Sequence, residues 1–298
     1  MELRHIRYLL AVAEHQNFTR AAEALHVSQP TLSQQIKQLE TALRVQLLDR
    51  SGRVVRTTDA GEAFLHYARR ALRDLEAAER AIHDVQDLSR GSLRLATTPT
   101  FAAYLVGPLV DRFTTRHPGI AVTVQEMTQD RIEAELARDG LEIGIAFADV
   151  RSDEIESESL FVETLSLVVG EEHPRAGRRK PLAAKELDDQ ALVLLSSDFA
   201  TRLHIDRYFK DQGITPRTAV EVSSIGAIVE IVRRGRLATV LPAAIALEQQ
   251  GLFSIPLSPA LPPRTVALLR RKGAYRTTAG RAFAEMASTW DDRDGWPG

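Results

Sequence analysis

Residues 18 to 40 constrain this chain more than any other stretch: they read as two helices joined by a tight turn, the second polar along its outer face. The first helix, from about Phe18, carries Ala21, Ala22 and Leu25, and its alanines are small enough to let another helix cross closely. Val27 plugs the turn, Ser28 stands as an N-cap, and Pro30 falls in the first turn, where its missing N–H costs nothing. Leu32, Ile36 and Leu39 recur at i, i+4 and i+7, which makes one apolar stripe. The other face shows Pro30, Gln34, Lys37 and Gln38, flanked by Thr31 and Ser33. A helix built only to be solvated usually carries more Glu and Lys than this. Uncharged amides and hydroxyls with a single lysine suit a helix that enters a major groove, reads base edges and touches phosphate. Gln29, Pro30, Thr31, Ser33, Gln34 and Lys37, within a helix-turn-helix over 18–37, are therefore the candidate contacts.

The flanks agree with a DNA-reading unit. Leu3, Ile6, Leu9, Leu10 and Val12 with Ala13 form an amphipathic helix that supplies the third side of a small core. Beyond the motif, short apolar runs flank Ser51-Gly52, a turn signal, so a hairpin or wing carrying Arg50, Arg53 and Arg56 is expected. An arginine at a wing tip, here Arg53, suits the negative potential of a minor groove. Residues 1–58 hold eight Lys/Arg against five acids, a net of +3 in a chain whose total is −2, so the N-terminal unit is the basic one.

Phe18-Thr19-Arg20-Ala21-Ala22, Val27-Ser28-Gln29-Pro30-Thr31-Leu32-Ser33 and Thr58-Asp59-Ala60-Gly61 resemble the LysR-type transcriptional regulators, over nearly the whole chain. In the C-terminal part, Phe199-Ala200-Thr201-Arg202, Ile205-Asp206, Gly213-Ile214, Val232-Arg233-Arg234-Gly235 and Ala238-Thr239-Val240-Leu241-Pro242 are most similar to the cyanate-operon branch. Two departures stand out. Gln34 replaces an arginine common in relatives, and Ala42-Leu43-Arg44 with Leu47-Leu48 lacks the glycine and phenylalanine usual before the wing, so a slightly altered turn is expected there.

Bulk properties limit the remaining possibilities. With 298 residues, 44% hydrophobic and 26% charged, the chain has room for two or three domains with substantial cores. It contains no cysteine, which excludes disulfides, thiolate metal sites and cysteine redox sensing. Arg4, His5 and Arg7 interrupt the N-terminal apolar periodicity, and no run is long enough to cross a bilayer, so a soluble, cytoplasmic protein is expected.

From Gly61 to Leu88 no proline or further glycine occurs, and Phe64, Ala68, Ala71, Leu75, Ala78, Ile82 and Val85 alternate by four and three. That seam predicts a pairing helix and hence a homodimer, which suits the two half-sites of a palindrome in double-stranded DNA. A helix packed on its own domain is the alternative. A hinge is expected at Ser89-Arg90-Gly91-Ser92. After it strands and helices alternate. Helices are expected over Phe101–Arg116 and Thr201–Asp211, a long strand over Leu160–Val169, and a returning strand over Val266–Leu269. The fold class is thus α/β with an N-terminal all-α winged helix-turn-helix and a long linker helix. The resemblance adds that the sensor is a two-lobe, periplasmic-binding-protein-like domain. The expected domains are 1–58 for DNA binding, 59–90 for linker and hinge, and 91–298 for the effector, with lobe I at 91–163 and 267–298 and lobe II at 164–266.

Ligands of open parallel sheets bind at strand carboxyl ends, beside helix N-termini. Thr97-Thr98-Pro99-Thr100 and Ser196-Ser197-Asp198-Phe199-Ala200-Thr201-Arg202 are two such places, with Thr128-Gln129 a third. Hydroxyls beside free N–H groups suit a small anion. Thr100, Thr128, Ser196, Phe199, Thr201 and Arg202 are the candidate effector contacts, Asp198 is expected to face solvent, and plain helix capping is the alternative. No catalytic or metal-binding pattern and no cofactor motif is visible. A ligand-responsive regulator is the leading reading, with RNA polymerase as a further partner and, as the resemblance implies, a tetramer as its larger assembly. A solute-binding protein and an architectural DNA-binding protein are the alternatives.

Overall fold

The computed structural model describes residues 1–52, 54–84 and 91–289. The chain forms two compact units, Met1–Ile82 and the residues from His83 onward.

The first unit opens with α1 (Leu3–His15), α2 (Phe18–Ala24) and α3 (Gln29–Leu43). Asn17 caps α2, its carboxamide oxygen accepting from the amides of Thr19 at 2.8 Å and Arg20 at 3.1 Å. Ser28 caps α3 by accepting from the Thr31 amide. Leu9, Val12, Ala21, Ala22, Leu32, Ile36 and Leu39 close the core, so the apolar stripe read from α3 is its buried face. At its end Arg44 takes the left-handed conformation, φ 56° and ψ 33°. Glycine would adopt that turn without a Cβ penalty, which gives the expected departure before the wing its physical content. The wing is a short antiparallel pair, β1 (Leu48–Asp49) with β2 (Arg56–Thr57). Its arginines differ in role. The Glu40 carboxylate accepts from the amides of Leu47 and Leu48 at 3.0 and 3.1 Å and from Arg50 at 2.8 Å, and the Arg50 guanidinium lies over the Phe18 ring. Arg50 therefore ties the wing to α2 and α3, Arg56 is exposed, and Arg53 lies outside the described residues.

Helix α4 (Asp59–Asp84) starts at Thr58, whose hydroxyl accepts from the Gly61 amide at 3.0 Å and donates to the Gln46 carbonyl at 2.7 Å. A Cβ on Gly61 would stand 2.1 Å from the Leu47 carbonyl oxygen, so only glycine permits this approach. Along the predicted seam Ala68 is buried and Phe64 partly buried with Leu65 in the core of the unit itself, while Ala71, Leu75 and Ala78 are exposed. The early part of the seam thus belongs to its own domain, a correction to a uniform pairing stripe. The Ile82 side chain, Val85 and most of the expected hinge lie outside the described residues, and Gly91 and Ser92 already belong to a strand.

The second unit contains two five-stranded mixed sheets. Lobe I comprises β3 (Gly91–Thr97), α5 (Pro99–Ala102), α6 (Val106–Arg116), β4 (Ile120–Glu126), α7 (Gln129–Ala137), β5 (Ile143–Phe147) and β6 (Ile155–Glu163). Lobe II comprises β7 (Leu165–Gly170), β8 (Leu182–Ala183), β9 (Ala191–Leu195), α8 (Ala200–Gln212), β10 (Arg217–Val222), α9 (Ile225–Arg234), β11 (Ala238–Pro242), α10 (Ala243–Glu248), β12 (Leu252–Ile255) and β13 (Leu257–Ser258). The chain then returns to lobe I as β14 (Arg264–Arg271) and α11 (Thr278–Ser288). Strand orders are β4-β3-β5-β14-β6 and β10-β9-β11-β7-β12. Alternate residues feed opposite faces. Leu95, Ile145 and Leu268 pack with Leu109 and Phe113 of α6 and Phe283 of α11, whereas Ala96, Ala146 and Ala267 meet Ile132 and Leu136 of α7.

Three expected elements differ. The helix over Phe101–Arg116 is two helices, and the second begins so that Pro108 lies in its first turn, where no N–H is needed. The long strand over Leu160–Val169 breaks at Thr164: β6 is an edge strand of one sheet that mixes exposed, half-buried and buried positions, and β7 is a wholly buried strand of the other. The returning strand starts at Arg264 rather than Val266, opposite Glu163, so lobe I resumes at Arg264 and not at residue 267.

Candidate functional site

On α3 the buried stripe leaves Gln29, Pro30, Thr31, Gln34 and Lys37 exposed and Ser33 half-buried, all on the side away from the core. Gln35, on the inner flank, meets the His5 ring at 2.9 Å and ties α3 to α1. The face that sequence pattern singled out is thus presented on a packed three-helix base.

In the second unit the loops at the carboxyl ends of β3, β5 and β9 surround a cleft of about 720 Å³ between the lobes. Thr98, Thr100, Thr128, Phe147, Phe199, Thr201 and Arg264 are among its walls. The Thr100 and Thr201 hydroxyls, one from each lobe and both buried, lie 3.0 Å apart. Helices α7 and α8 turn their first residues to the cleft, and neither N-cap, Thr128 or Phe199, makes a side-chain capping bond. Free N–H groups and the positive ends of two helix dipoles therefore meet there.

Supporting residues hold the walls. The Gln129 amide bonds reciprocally with the Phe147 backbone and donates to the Asp149 carbonyl at 2.8 Å, while Glu133 accepts from the amides of Arg151 and Ser152, each at 3.0 Å. Gln129 is therefore engaged in fixing the loop. Two expected contacts are not at the cleft. Arg202 is tied to Asp206 at 2.8 Å, Glu221 at 2.9 Å and the Leu195 carbonyl at 2.5 Å; it anchors α8 to its own sheet and is absent from the lining. Ser196 is likewise absent from the lining; its hydroxyl is buried without a partner, and its amide bonds to the Val222 carbonyl. Asp198 is exposed as expected, yet at the mouth of the cleft.

Sequence reasoning missed the cleft's central charge. Arg264 pairs with Glu163, donates to the Thr201 hydroxyl at 3.2 Å and lies 4.0 Å from the centre of the Phe147 ring. Tyr104 donates to the other oxygen of Glu163 at 2.8 Å. Burial works against both charges, raising the Glu163 carboxyl and lowering the Arg264 guanidinium, while their contact opposes each shift. Burial, then the adjacent carboxylate, also pushes the Tyr104 hydroxyl up, so it remains a donor.

Residues 3–62 match the bacterial regulatory helix-turn-helix protein, lysR family, and residues 86–291 match the LysR substrate binding domain. The chain belongs to the LysR family. It is a LysR-type DNA-binding transcriptional regulator with an effector-binding domain, which sets aside the solute-binding alternative. The RuBisCO operon transcriptional regulator of Allochromatium vinosum is 30% identical over 289 residues, covering 96% of this chain and 95% of that protein. The DNA-binding transcriptional dual regulator OxyR of Escherichia coli (strain K12) is 31% identical, covering 96% and 94%. Among solved structures, a full-length OxyR variant from Pseudomonas aeruginosa superposes with a TM-score of 0.70 at 26% identity, covering 97% of this chain and 95% of that one. Full-length CbnR with its target DNA superposes at 0.61, also at 26% identity, covering 99% and 100%. Among the described residues of this LysR-type regulator, no helix is long and apolar enough to cross a membrane.

Proposed function

We propose that this LysR-type regulator binds a promoter palindrome as a homodimer, assembles further into a tetramer, and answers a small anionic metabolite held between its sensor lobes. The observation that supports the effector reading best is the meeting of two uncapped helix N-termini and a set of threonine hydroxyls at one cleft. Thr100, Thr128, Phe199 and Thr201 are the effector contacts in this reading. Gln29, Pro30, Thr31, Ser33, Gln34 and Lys37 read DNA, with Arg53 on the wing. The exposed part of α4, at Ala71, Leu75 and Ala78, supports pairing with a second copy. The protein acts in the cytoplasm, recruits or contacts RNA polymerase, and carries out no catalysis. With no cysteine in the chain, thiol oxidation is excluded as the signal, and in this reading the signal enters through the cleft. The motif resemblance to the cyanate-operon branch makes cyanate the first anion to try.

Melting temperature with and without anions tests the reading, because a ligand of the folded state stabilises by RT ln(1 + [L]/Kd). A saturable rise for one anion in wild type, lost in Thr100→Val, is the expected result. A rise that Thr100→Val retains removes Thr100 from the site.

A further inference from the structure

The wing cannot be held by its own ladder alone. Strands β1 and β2 pair over two residues each, Leu48 with Thr57 and Asp49 with Arg56, and so short a ribbon has little stability by itself. One side chain of the recognition helix supplies much of the rest. Glu40 lies in the last turn of α3, where the negative end of the helix dipole disfavours a carboxylate. What it accepts accounts for its place: the amides of Leu47 and Leu48 reach Oε1 at 3.0 and 3.1 Å, and an Arg50 nitrogen reaches Oε2 at 2.8 Å. The Glu40 side chain is 12% exposed and Leu47 and Leu48 are buried, so water does not freely replace these bonds.

Arg50 completes the tie. Its guanidinium lies 4.9 Å from the centre of the ring of Phe18, the first residue of α2, so one cation joins the wing to both helices of the motif. The carbonyls of the same segment are taken from the α4 side, where the Thr58 amide donates to Leu47 at 3.0 Å and its hydroxyl donates to Gln46 at 2.7 Å. The base of the wing is therefore bonded both to the recognition helix and to the start of the linker helix.

We propose that Glu40 is a positioning residue for DNA binding. Through Leu47, Leu48 and Arg50 it fixes the wing relative to α3, so that a major-groove contact and the neighbouring minor-groove contact are made together. Arg50 is engaged within this tie and touches no DNA. A wing free to swing would have to be ordered on binding, and the lost freedom would lower affinity. This rests on the reading in which α3 and Arg53 hold the DNA, and it adds the residue that sets their spacing.

The test is a double-variant cycle on the full chain, read by fluorescence anisotropy on a duplex that the wild-type protein selects from a random pool. Arg53→Ala, Glu40→Gln and Arg50→Met are each expected to weaken binding about tenfold, the weight of one groove contact. Adding Glu40→Gln or Arg50→Met to Arg53→Ala is expected to weaken it little further, because no wing contact is left to position. Hydroxyl-radical footprints should lose the wing's minor-groove protection in every variant, while guanine N7 protection in the major groove stays. Glu40→Gln keeps an oxygen for the two amides; if its urea midpoint nonetheless collapses, the Arg50→Met cycle decides, since Arg50 is 36% exposed. Losses that add in full would overturn the positioning role, because Glu40 and Arg50 would then act on DNA or on stability independently of the wing contact. A loss in Arg53→Ala with wild-type binding in the other two would overturn it as well, while leaving the wing contact in place. No loss in Arg53→Ala would overturn the wing contact of the underlying reading, and this role with it.

Discussion

Glu163, the last residue of β6, and Arg264, the first of β14, face each other across the strand register and form a buried ion pair, their side chains 3% and 10% exposed. Glu163 precedes one crossing between the lobes and Arg264 follows the other. The pair therefore fastens both crossings on the lobe I side, with Arg264 in the wall of the cleft.

Removing one partner should be far worse than removing both. Glu163→Gln leaves the Arg264 charge buried without its counter-charge and should cost about 3–5 kcal/mol, whereas Glu163→Leu with Arg264→Met should cost much less. Urea denaturation of the three proteins gives the comparison. Similar losses for the single and double variants would contradict the coupling.

His204 sets a pH dependence. Burial, then the charges of Arg264 and Arg207, lower its pKa, and its Nε2–H donates to the Pro262 carbonyl at 2.9 Å. A His with a lowered folded pKa binds fewer protons folded than unfolded, so stability rises with pH up to the unfolded value near 6.5 and falls below it. His173 shifts the same way through burial. Denaturation midpoints should therefore fall as the solution is acidified from pH 7 to pH 5, and His204→Gln should flatten that slope only in part.

Arg44 is a left-handed residue without glycine's freedom. Arg44→Gly should raise stability by about 1 kcal/mol, since the αL conformation costs an L-residue roughly that much. A lower urea midpoint in the glycine variant would show that the Arg44 side chain contributes more than its backbone costs.

On the recognition helix, Lys37→Ala should weaken all DNA sequences about equally and flatten the salt dependence, the mark of a lost phosphate contact. Gln34→Ala should relax preference at one base position by about 1–3 kcal/mol. Fluorescence anisotropy on matched and substituted operators separates the two. No effect from either change would mean that another face of the domain holds the DNA.

The DNA reader was legible because its signals are local: Ser28 and Pro30 mark the start of α3, and Leu32, Ile36 and Leu39 mark its inner face within one short window. The strand–helix alternation carried most of the sensor, and Thr100, Thr128, Phe199 and Thr201 do line one cleft. Arg264 left no such trace. It follows two prolines, fits no period, and finds Glu163 and Thr201 far away along the chain. Arg202 and Thr201 are adjacent on one helix, and only packing against the sheet decides that Thr201 faces the cleft while Arg202 meets Asp206 and Glu221. The break at Thr164 was hidden for a similar reason, since β6 and β7 form a continuous extended run in sequence and part only where each finds its own sheet.

A ligand alters DNA binding only through a difference in its affinity for two arrangements of the protein. A small anion between the lobes is expected to change the spacing of the DNA readers more than any base contact. Footprinting on the operator, with and without the anion that raises the melting temperature, tests it most directly. The expected result is that this anion changes footprint length and bend with modest change in affinity, and that Thr100→Val loses the response while keeping basal DNA binding. A wild-type footprint that stays the same with the cleft saturated would contradict it.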